Sequence, residues 1–277
     1  MELTEFIDFI LDEDIKEGDH TSLSCIPASA SGRAKLLVKA DGILAGIDLA
    51  QQIFHRVDKN LVIDLFLPDG SAVKYGDIAF TVEGKTQSIL TAERVVLNCM
   101  QRMSGIATMT HRFVSKTEGT KAKVLDTRKT TPGFRFIEKW AVRIGGGTNH
   151  RMGLYDMIMI KDNHHDFCGG ITNAIKTTQK YLKENNLSIK IEIEVRNLTE
   201  LQEVLDIGQV DRIMLDNFDV ATTKEAVALV DGRFPLESSG GINLDTIAGY
   251  AQAGVDYVSV GALTHSYTSL DLSLKAF

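Results

Sequence analysis

Between Asp126 and His165 the chain reads DTRKTTPGFRFIEKWAVRIGGGTNHRMGLYDMIMIKDNHH, a short run that carries Arg128, Lys129, Arg135, Lys139, Arg143, His150, Arg151 and Lys161. A triple glycine, Gly145 to Gly147, interrupts it. An arginine can grip a carboxylate through two parallel hydrogen bonds, each worth about 1.5–3 kcal/mol when the partner is charged. A lysine acts more as a point charge. The chain as a whole is acidic, with a formal net charge of −7. Attraction to nucleic acid or to an anionic membrane needs a broad positive field, which this charge balance argues against. The pattern points instead to a small polyanion held in a pocket.

Further ionisable residues sit at the ends of short apolar runs: Asp126-Thr127-Arg128-Lys129, Lys161-Asp162-Asn163-His164, Glu192 with Glu194, Asp216-Asn217, and Glu237-Ser238-Ser239-Gly240-Gly241. A strand end needs only turn residues, so ionisable groups at nearly every one mark a site. Glu194 and Asp216, at neighbouring strand ends, suit a Mg²⁺ ion or ribose hydroxyls. Glu192 lies two residues from Glu194 and shares its face of the strand, either in the site or as a neutralised core group. Lys161 has two readings, a Schiff-base amine or an anion-binding charge. The glycines of Ser239-Gly240-Gly241 and of Val260-Gly261-Ala262 would let backbone N–H groups approach a phosphate, although ordinary tight turns also favour glycine. His164-His165-Asp166 with Cys168 matches no tetrahedral zinc spacing and reads as polar loop residues. Trp140, at helical spacing from Phe136 and Ile137, reads as core packing.

Positioning such groups requires strands followed by loops. Apolar strand candidates lie at Lys123–Leu125, Met157–Ile160, Ile189–Val195, Arg212–Leu215, Pro235–Leu236 and Tyr257–Val260. Helical patterns fall between them at Ile171–Glu184, Leu198–Leu205, Val220–Val230 and Leu244–Ala253. Near-continuous apolar strands alternating with helices predict a parallel sheet, here an open barrel of six or seven strands. No G-x-G-x-x-G follows an early strand, which argues against a dinucleotide-binding fold.

The residues before it have a different texture. A helix is expected over Leu3–Leu11, strands over Gly32–Ala40, Leu61–Leu67 and Ala72–Val82, and a helix over Ile47–Val57. A long helix should follow from Thr91, as N-cap, to Glu118. The organisation expected is therefore an N-terminal α/β sandwich over 1–105 and a catalytic open α/β barrel over 106–267. The alternating tail LDLSLKAF, about 268–277, returns to the first domain as an edge strand.

A length of 277 residues and 44% hydrophobic content fit such a two-domain globular chain. Cys25, Cys99 and Cys168 are odd in number and widely spaced, as in a reducing compartment. The acidic start lacks the features of a signal peptide, and no apolar run approaches the ~20 residues that span a bilayer. The expectation is a cytoplasmic protein with neither membrane nor nucleic-acid partner.

The strings EDIKEGDHTS, LTAERVVLNCMQRMSGIAT, DTRKTTPGFR, EKWAVRIGGGTNHRMGLYD, MIKDNH, IMLDNF, ESSGGI and VDYVSVGALTHS resemble, in order and along essentially the whole chain, the quinolinate phosphoribosyltransferase family (nicotinate-nucleotide pyrophosphorylase, decarboxylating). The resemblance implies the same two-domain fold and a Mg²⁺-dependent reaction of de novo NAD biosynthesis. In it, quinolinate and 5-phosphoribosyl 1-pyrophosphate give nicotinate mononucleotide, pyrophosphate and CO₂. Matched position by position, Thr127 belongs to the substrate site, and Arg128, His150, Arg151 and Lys161 to the quinolinate carboxylates. Lys129, Glu194 and Asp216 face the phosphoribosyl donor and its metal, while Ser239, Gly240, Gly241 and Gly261 match the 5′-phosphate site. Lys129, Lys161, Glu194 and Asp216 would be the catalytic set. Arg94 matches an arginine delivered across the interface of a homodimer with shared sites, the choice between dimer and hexamer being left open. Arg196-Asn197 departs from the family pattern. A molybdenum-transport-associated branch shares the DTRK-type motif, but NHRMGL and IKDNH favour the quinolinate enzyme. Rival readings from other classes are a Schiff-base aldolase and a non-catalytic phosphate-binding scaffold.

Overall fold

A computed structural model describes residues 2–277 and divides them into two compact units, one reaching Met109 and including Tyr267–Phe277, the other spanning Thr110–Ser266. The first contains α1 (Leu3–Ile15), α2 (His20–Cys25), β1 (Ser31–Val38), β2 (Gly42–Ile43), α3 (Ile47–Val57), β3 (Val62–Leu65), β4 (Ala72–Val73), β5 (Ile78–Lys85) and most of α4 (Thr86–Ser115). The second contains β6 (Lys123–Leu125), α5 (Arg135–Ile144), β7 (Met157–Ile160), α6 (Asp162–Phe167), α7 (Ile171–Glu184), β8 (Lys190–Val195), α8 (Leu198–Ile207), β9 (Arg212–Asp216), α9 (Val220–Val230), β10 (Leu236–Ser239), α10 (Ile247–Ala253), β11 (Tyr257–Ser259) and α11 (Ala262–His265). The last strand, β12 (Leu272–Ala276), belongs to the first unit.

In the first unit a four-stranded antiparallel sheet has the order β12-β1-β5-β3, so the tail pairs as an edge strand against β1. Helix α1 buries Phe6, Ile7, Ile10 and Leu11, and α3 meets β5 through the edge-to-face pair of Phe54 and Phe80. The strand expected over Ala72–Val82 is two strands, because Tyr75-Gly76-Asp77 turns the chain with Gly76 at φ +96°. Helix α4 begins at Thr86, so Thr91 lies inside it and is not its cap; the Thr91 hydroxyl instead donates to Asp19, 3.4 Å away.

The second unit is a six-stranded parallel sheet of order β6-β11-β10-β9-β8-β7. Strands β6 and β7, consecutive in sequence, lie at its two ends, and the chain between them adds a single parallel bridge, Thr148 to Leu125, beside β6. That chain is not a plain loop, since Arg135–Ile144 folds as α5. Its Ile137, Ala141 and Val142 are buried, whereas Trp140 is half-buried and packs against the exposed Phe136, contrary to its reading as core. Gly146 then turns the chain at φ +89°, and at Gly147 a side chain would collide with Thr110 and Val142 within 2.8 Å.

Candidate active site

Side chains alternate along a strand, so the pairing register decides which residues share the barrel lumen. Glu192 pairs with Met159 on one side and with Arg212 on the other, Glu194 with Met214, Met214 with Glu237, and Asp216 with Ser239. These residues face the lumen, and their side-chain contacts sort them into two ionic groups, Glu192, Arg212 and Glu237 in the deeper one and Lys161 with Glu194, beside Asp216, at the rim.

Above these groups lies a cavity of about 770 Å³. Its lining includes Thr127, Arg128 and Lys129 after β6, His150 and Arg151 before β7, and Lys161 after β7. Glu194 and Asp216 line it from β8 and β9, and Ser239, Gly240, Gly241 and Gly261 line it from the last two strand ends. All the expected site residues meet here except Arg94, which lies on an exposed face of α4 in the other unit.

The basic run divides by function. Arg135 donates to the Thr130 hydroxyl (2.9 Å) and to the Met152 carbonyl (3.0 Å), bracing the loop after β6. Arg143 donates to Asn149 Oδ1 at 2.8 Å. Lys139, itself buried, pairs with buried Asp126 and donates to the His150 carbonyl at 3.0 Å, while the His150 N–H donates to Asp126 Oδ1 at 2.8 Å. Burial raises the pKa of Asp126 and lowers that of Lys139, each shift being opposed by the other's charge. These three cations hold the loops; Arg128, Lys129, His150, Arg151 and Lys161 face the cavity.

At the rim Lys161 Nζ donates to Glu194 Oε2 at 3.1 Å. Burial raises the Glu194 pKa, Lys161 pulls it down, and nearby Asp216 pushes it up again. The ion pair suits an ammonium, which does not favour the free amine of a Schiff-base lysine. Glu194 and Asp216 offer hard carboxylate oxygens on adjacent strands, and the mutual repulsion of the two charges is what a divalent cation relieves. The pair therefore fits Mg²⁺, which takes one or two carboxylates and fills its other positions with water and substrate oxygens.

Across the cavity, Gly240 and Gly241 adopt left-handed φ of +102° and +62°, and a Cβ on Gly240 would lie 2.2 Å from Asn217 Oδ1. Only glycine closes this turn, whose backbone can then approach an oxyanion. Helix α10 starts only at Ile247, later than the Leu244 expected, so Gly240-Gly241 does not lead straight into it.

In the deeper layer His150 Nε2 lies 3.0 Å from Glu192 Oε2 and 3.4 Å from Glu237 Oε2, and Arg212 is 3.0 Å from Glu237 Oε2. Both glutamates are fully buried, and the Arg212 guanidinium lies 4.1 Å from the centre of the Tyr257 ring. Burial and the neighbouring Glu237 push the Glu192 pKa up to about 7; burial also acts on Glu237, but His150 and Arg212 outweigh it and hold that pKa low. Burial opposes a charge on His150, yet the facing carboxylates push its pKa up to about 9. The Arg151 N–H donates to His150 Nδ1 at 2.7 Å, where a cationic ring would carry a second proton. The two observations pull in opposite directions. The main-chain contact decides for a ring protonated at Nε2 alone, that nitrogen lying beside the two carboxylates without a hydrogen bond to either. His150, Glu192 and Glu237 have the spacing of a metal triad, the one such group among the described residues, but Arg212 already supplies the compensating charge.

Glu237, Met159, Met214 and Ser259 also line the cavity, unassigned from sequence. Each lies two residues before an expected site residue (Ser239, Lys161, Asp216 and Gly261), so strand alternation would have found them. Arg196 has its place too: its guanidinium makes two contacts with Asp166 at 3.0 and 3.1 Å and two with Glu200 at 2.7 and 2.8 Å. His165 is buried, not a surface residue, with Nδ1 3.3 Å from Asp166.

Fold and cavity together define a class: an open-barrel α/β enzyme that seats anionic small molecules between a cationic wall and a glycine-lined one. The chain belongs to the quinolinate phosphoribosyl transferase family, whose C-terminal domain model matches residues 106–275 and whose N-terminal domain model matches residues 19–104. It is 47% identical to quinolinate phosphoribosyltransferase [decarboxylating] 2b, mitochondrial, of Nicotiana tabacum, over 99% of this chain and 82% of that protein. It is 40% identical to the probable nicotinate-nucleotide pyrophosphorylase [carboxylating] of Bacillus subtilis, over 99% of this chain and 93% of that one. The crystal structure of NadC from Streptococcus pyogenes superposes with a TM-score of 0.94 at 37% identity, covering 99% of this chain and 97% of that one.

Proposed function

We propose that this enzyme transfers the phosphoribosyl group of 5-phosphoribosyl 1-pyrophosphate to quinolinate, releasing pyrophosphate, CO₂ and nicotinate mononucleotide for NAD biosynthesis. The observation that carries the reading is one cavity lined by Arg128, Arg151 and Lys161, by Glu194 and Asp216, and by Gly240-Gly241. Two anions of like charge repel, and seating them together in reacting geometry can contribute about 7–11 kcal/mol. Arg128, Arg151 and Lys161 hold the two carboxylates, with the His150 ring and Thr127 completing that wall. Met159 and Met214 offer the pyridine an apolar, polarisable surface.

Ser239, Gly240, Gly241 and Gly261 cradle the 5′-phosphate, and Lys129 faces the pyrophosphate. The pyridine nitrogen forms a bond to the ribosyl carbon as the bond to pyrophosphate breaks. The ring is then cationic, so the bond between its C2 and the carboxylate can break, leaving the electron pair on C2 until a proton replaces CO₂. Bound at Glu194 and Asp216, Mg²⁺ would neutralise pyrophosphate charge. Arg94 would reach the site of a partner subunit in a homodimer, whether or not dimers assemble further into a hexamer. The proposed setting is the cytoplasm, a reading supported by three free cysteines; no helix among the described residues is long and apolar enough to cross a membrane.

The test is formation of nicotinate mononucleotide from quinolinate, with nicotinate as control acceptor and with Mg²⁺ removed by chelation. Turnover is expected with quinolinate and Mg²⁺ only. Activity confined to nicotinate overturns the substrate, and undiminished turnover after chelation overturns the metal. For the shared site, inactive Arg94→Ala and Lys161→Ala chains should regain activity when mixed; hybrid dimers that form without regaining it would exclude a shared site.

A further inference from the structure

The cavity wall formed by His150 and Arg151 rests on a buried ionic base that none of the assigned roles uses. Glu192 and Glu237 have no exposed surface, and three of their four carboxylate oxygens (Glu192 Oε1 and Oε2, and Glu237 Oε1) make no hydrogen bond, nor does the His150 Nε2 that lies beside them. A buried, unsatisfied carboxylate is costly to keep. What these two face is the His150 ring, with Nε2 3.0 and 3.4 Å away, and Arg212. The other ring nitrogen accepts the Arg151 N–H at 2.7 Å. The His150 main chain is pinned separately, by Asp126 and Lys139. Among the described residues the ring thus bridges the buried carboxylates and the backbone of Arg151. The Arg151 side chain donates to the Met157 carbonyl at 3.0 Å and borders the cavity.

We propose that Glu192 and Glu237 are positioning residues: anchored by Arg212, they fix the His150 ring with its proton on Nε2, so that Nδ1 holds the Arg151 main chain and sets Arg151 toward the substrate carboxylate. The proposal rests on the reading of this wall as the carboxylate-binding side. It differs from a merely structural role in two respects. The dependence should be specific to one substrate, because the phosphoribosyl side of the cavity is built on other strand ends. It should also pass through the acceptor at Nδ1. Asparagine can present an oxygen near that position and alanine cannot, so His150→Asn should retain what His150→Ala loses.

The experiment pairs kinetics with ¹⁵N NMR of the imidazoles in the full-length protein. In the unliganded wild type the His150 signal should be that of a ring protonated at Nε2 with Nδ1 accepting. A ring protonated at Nδ1, or at both nitrogens, overturns the proposal, and that readout does not depend on which reaction the enzyme catalyses. Glu192→Gln, Glu237→Gln and His150→Ala should raise the KM for quinolinate about ten- to a hundredfold, as a displaced binding group does, with the KM for the phosphoribosyl donor changed less than about twofold. His150→Asn should recover most of that loss. Equal rises in both KM values, or an Asn variant as impaired as the Ala variant, would sink the idea. A wild type inactive on quinolinate would remove the functional reading while the NMR result still judged the ring's anchoring.

Discussion

Glu192 and Glu194 lie two residues apart on β8 and face the same lumen, yet they do different work because of depth. Glu192 is wholly buried, with His150 and Arg212 about it, and it does not itself border the cavity. Glu194, one layer up, pairs with a Lys161 side chain that is 47% exposed, and both border the cavity. The deep layer has its partners in place before any ligand arrives. Charge at the rim is matched only provisionally, by Lys161, and is free to be re-matched by substrate or metal. The same residue type thus supplies scaffold below and chemistry above, and what separates the roles is one step of the strand pleat.

That contrast can be broken most severely from below. Replacing Arg212 by methionine leaves Glu192 and Glu237 buried without their cation, and stability should fall by about 3–5 kcal/mol, measured by urea unfolding. A loss under about 1 kcal/mol would mean that the deep layer is not an ion network in the sense argued here. The rim should behave in the opposite way. Lys161→Ala removes a half-exposed cation, so the unfolding midpoint should hardly move while turnover on quinolinate falls about 10²–10³-fold, the scale of losing one preorganised charge partner. Near-normal steady-state kinetics in that variant would end the case for Lys161 as a catalytic group.

How much of this was legible in the sequence follows the same division. The six parallel strands were readable as apolar runs, because strands buried on both faces must be apolar almost throughout. The rim was readable because polar residues at strand ends interrupt those runs. The deep layer was harder. In the sequence Glu192 is ambiguous and Glu237 carries no distinct role, since period alone cannot say how far into a barrel a residue sits. The side-chain partners decide that, and they exist only in the folded chain. The cations of α5 mislead for a different reason: Arg135, Lys139 and Arg143 look like ligand-binding groups, and only their partners in the folded chain (Thr130, Asp126 and Asn149) show that they brace loops.

Arg196 gives the finest test of the contrast, because it is a rim-level cation with no place in the chemistry. Its guanidinium, about 42% exposed, joins Asp166 at the end of α6 to Glu200 on α8. Helix α6 starts directly after Lys161, and the Lys161 N–H donates to His164 Nδ1 within it, so the clamp lies one short helix away from a catalytic candidate. Exposed pairs of this kind are screened by water and salt and contribute little to stability. Arg196→Ala should therefore leave the unfolding midpoint nearly unchanged and alter the KM for quinolinate by less than about twofold at physiological salt. A larger KM effect that fades as salt is added to the wild type would show that the clamp tunes Lys161. A large effect independent of salt would place Arg196 itself against substrate, and the rim would then hold one more working cation than the geometry assigns it.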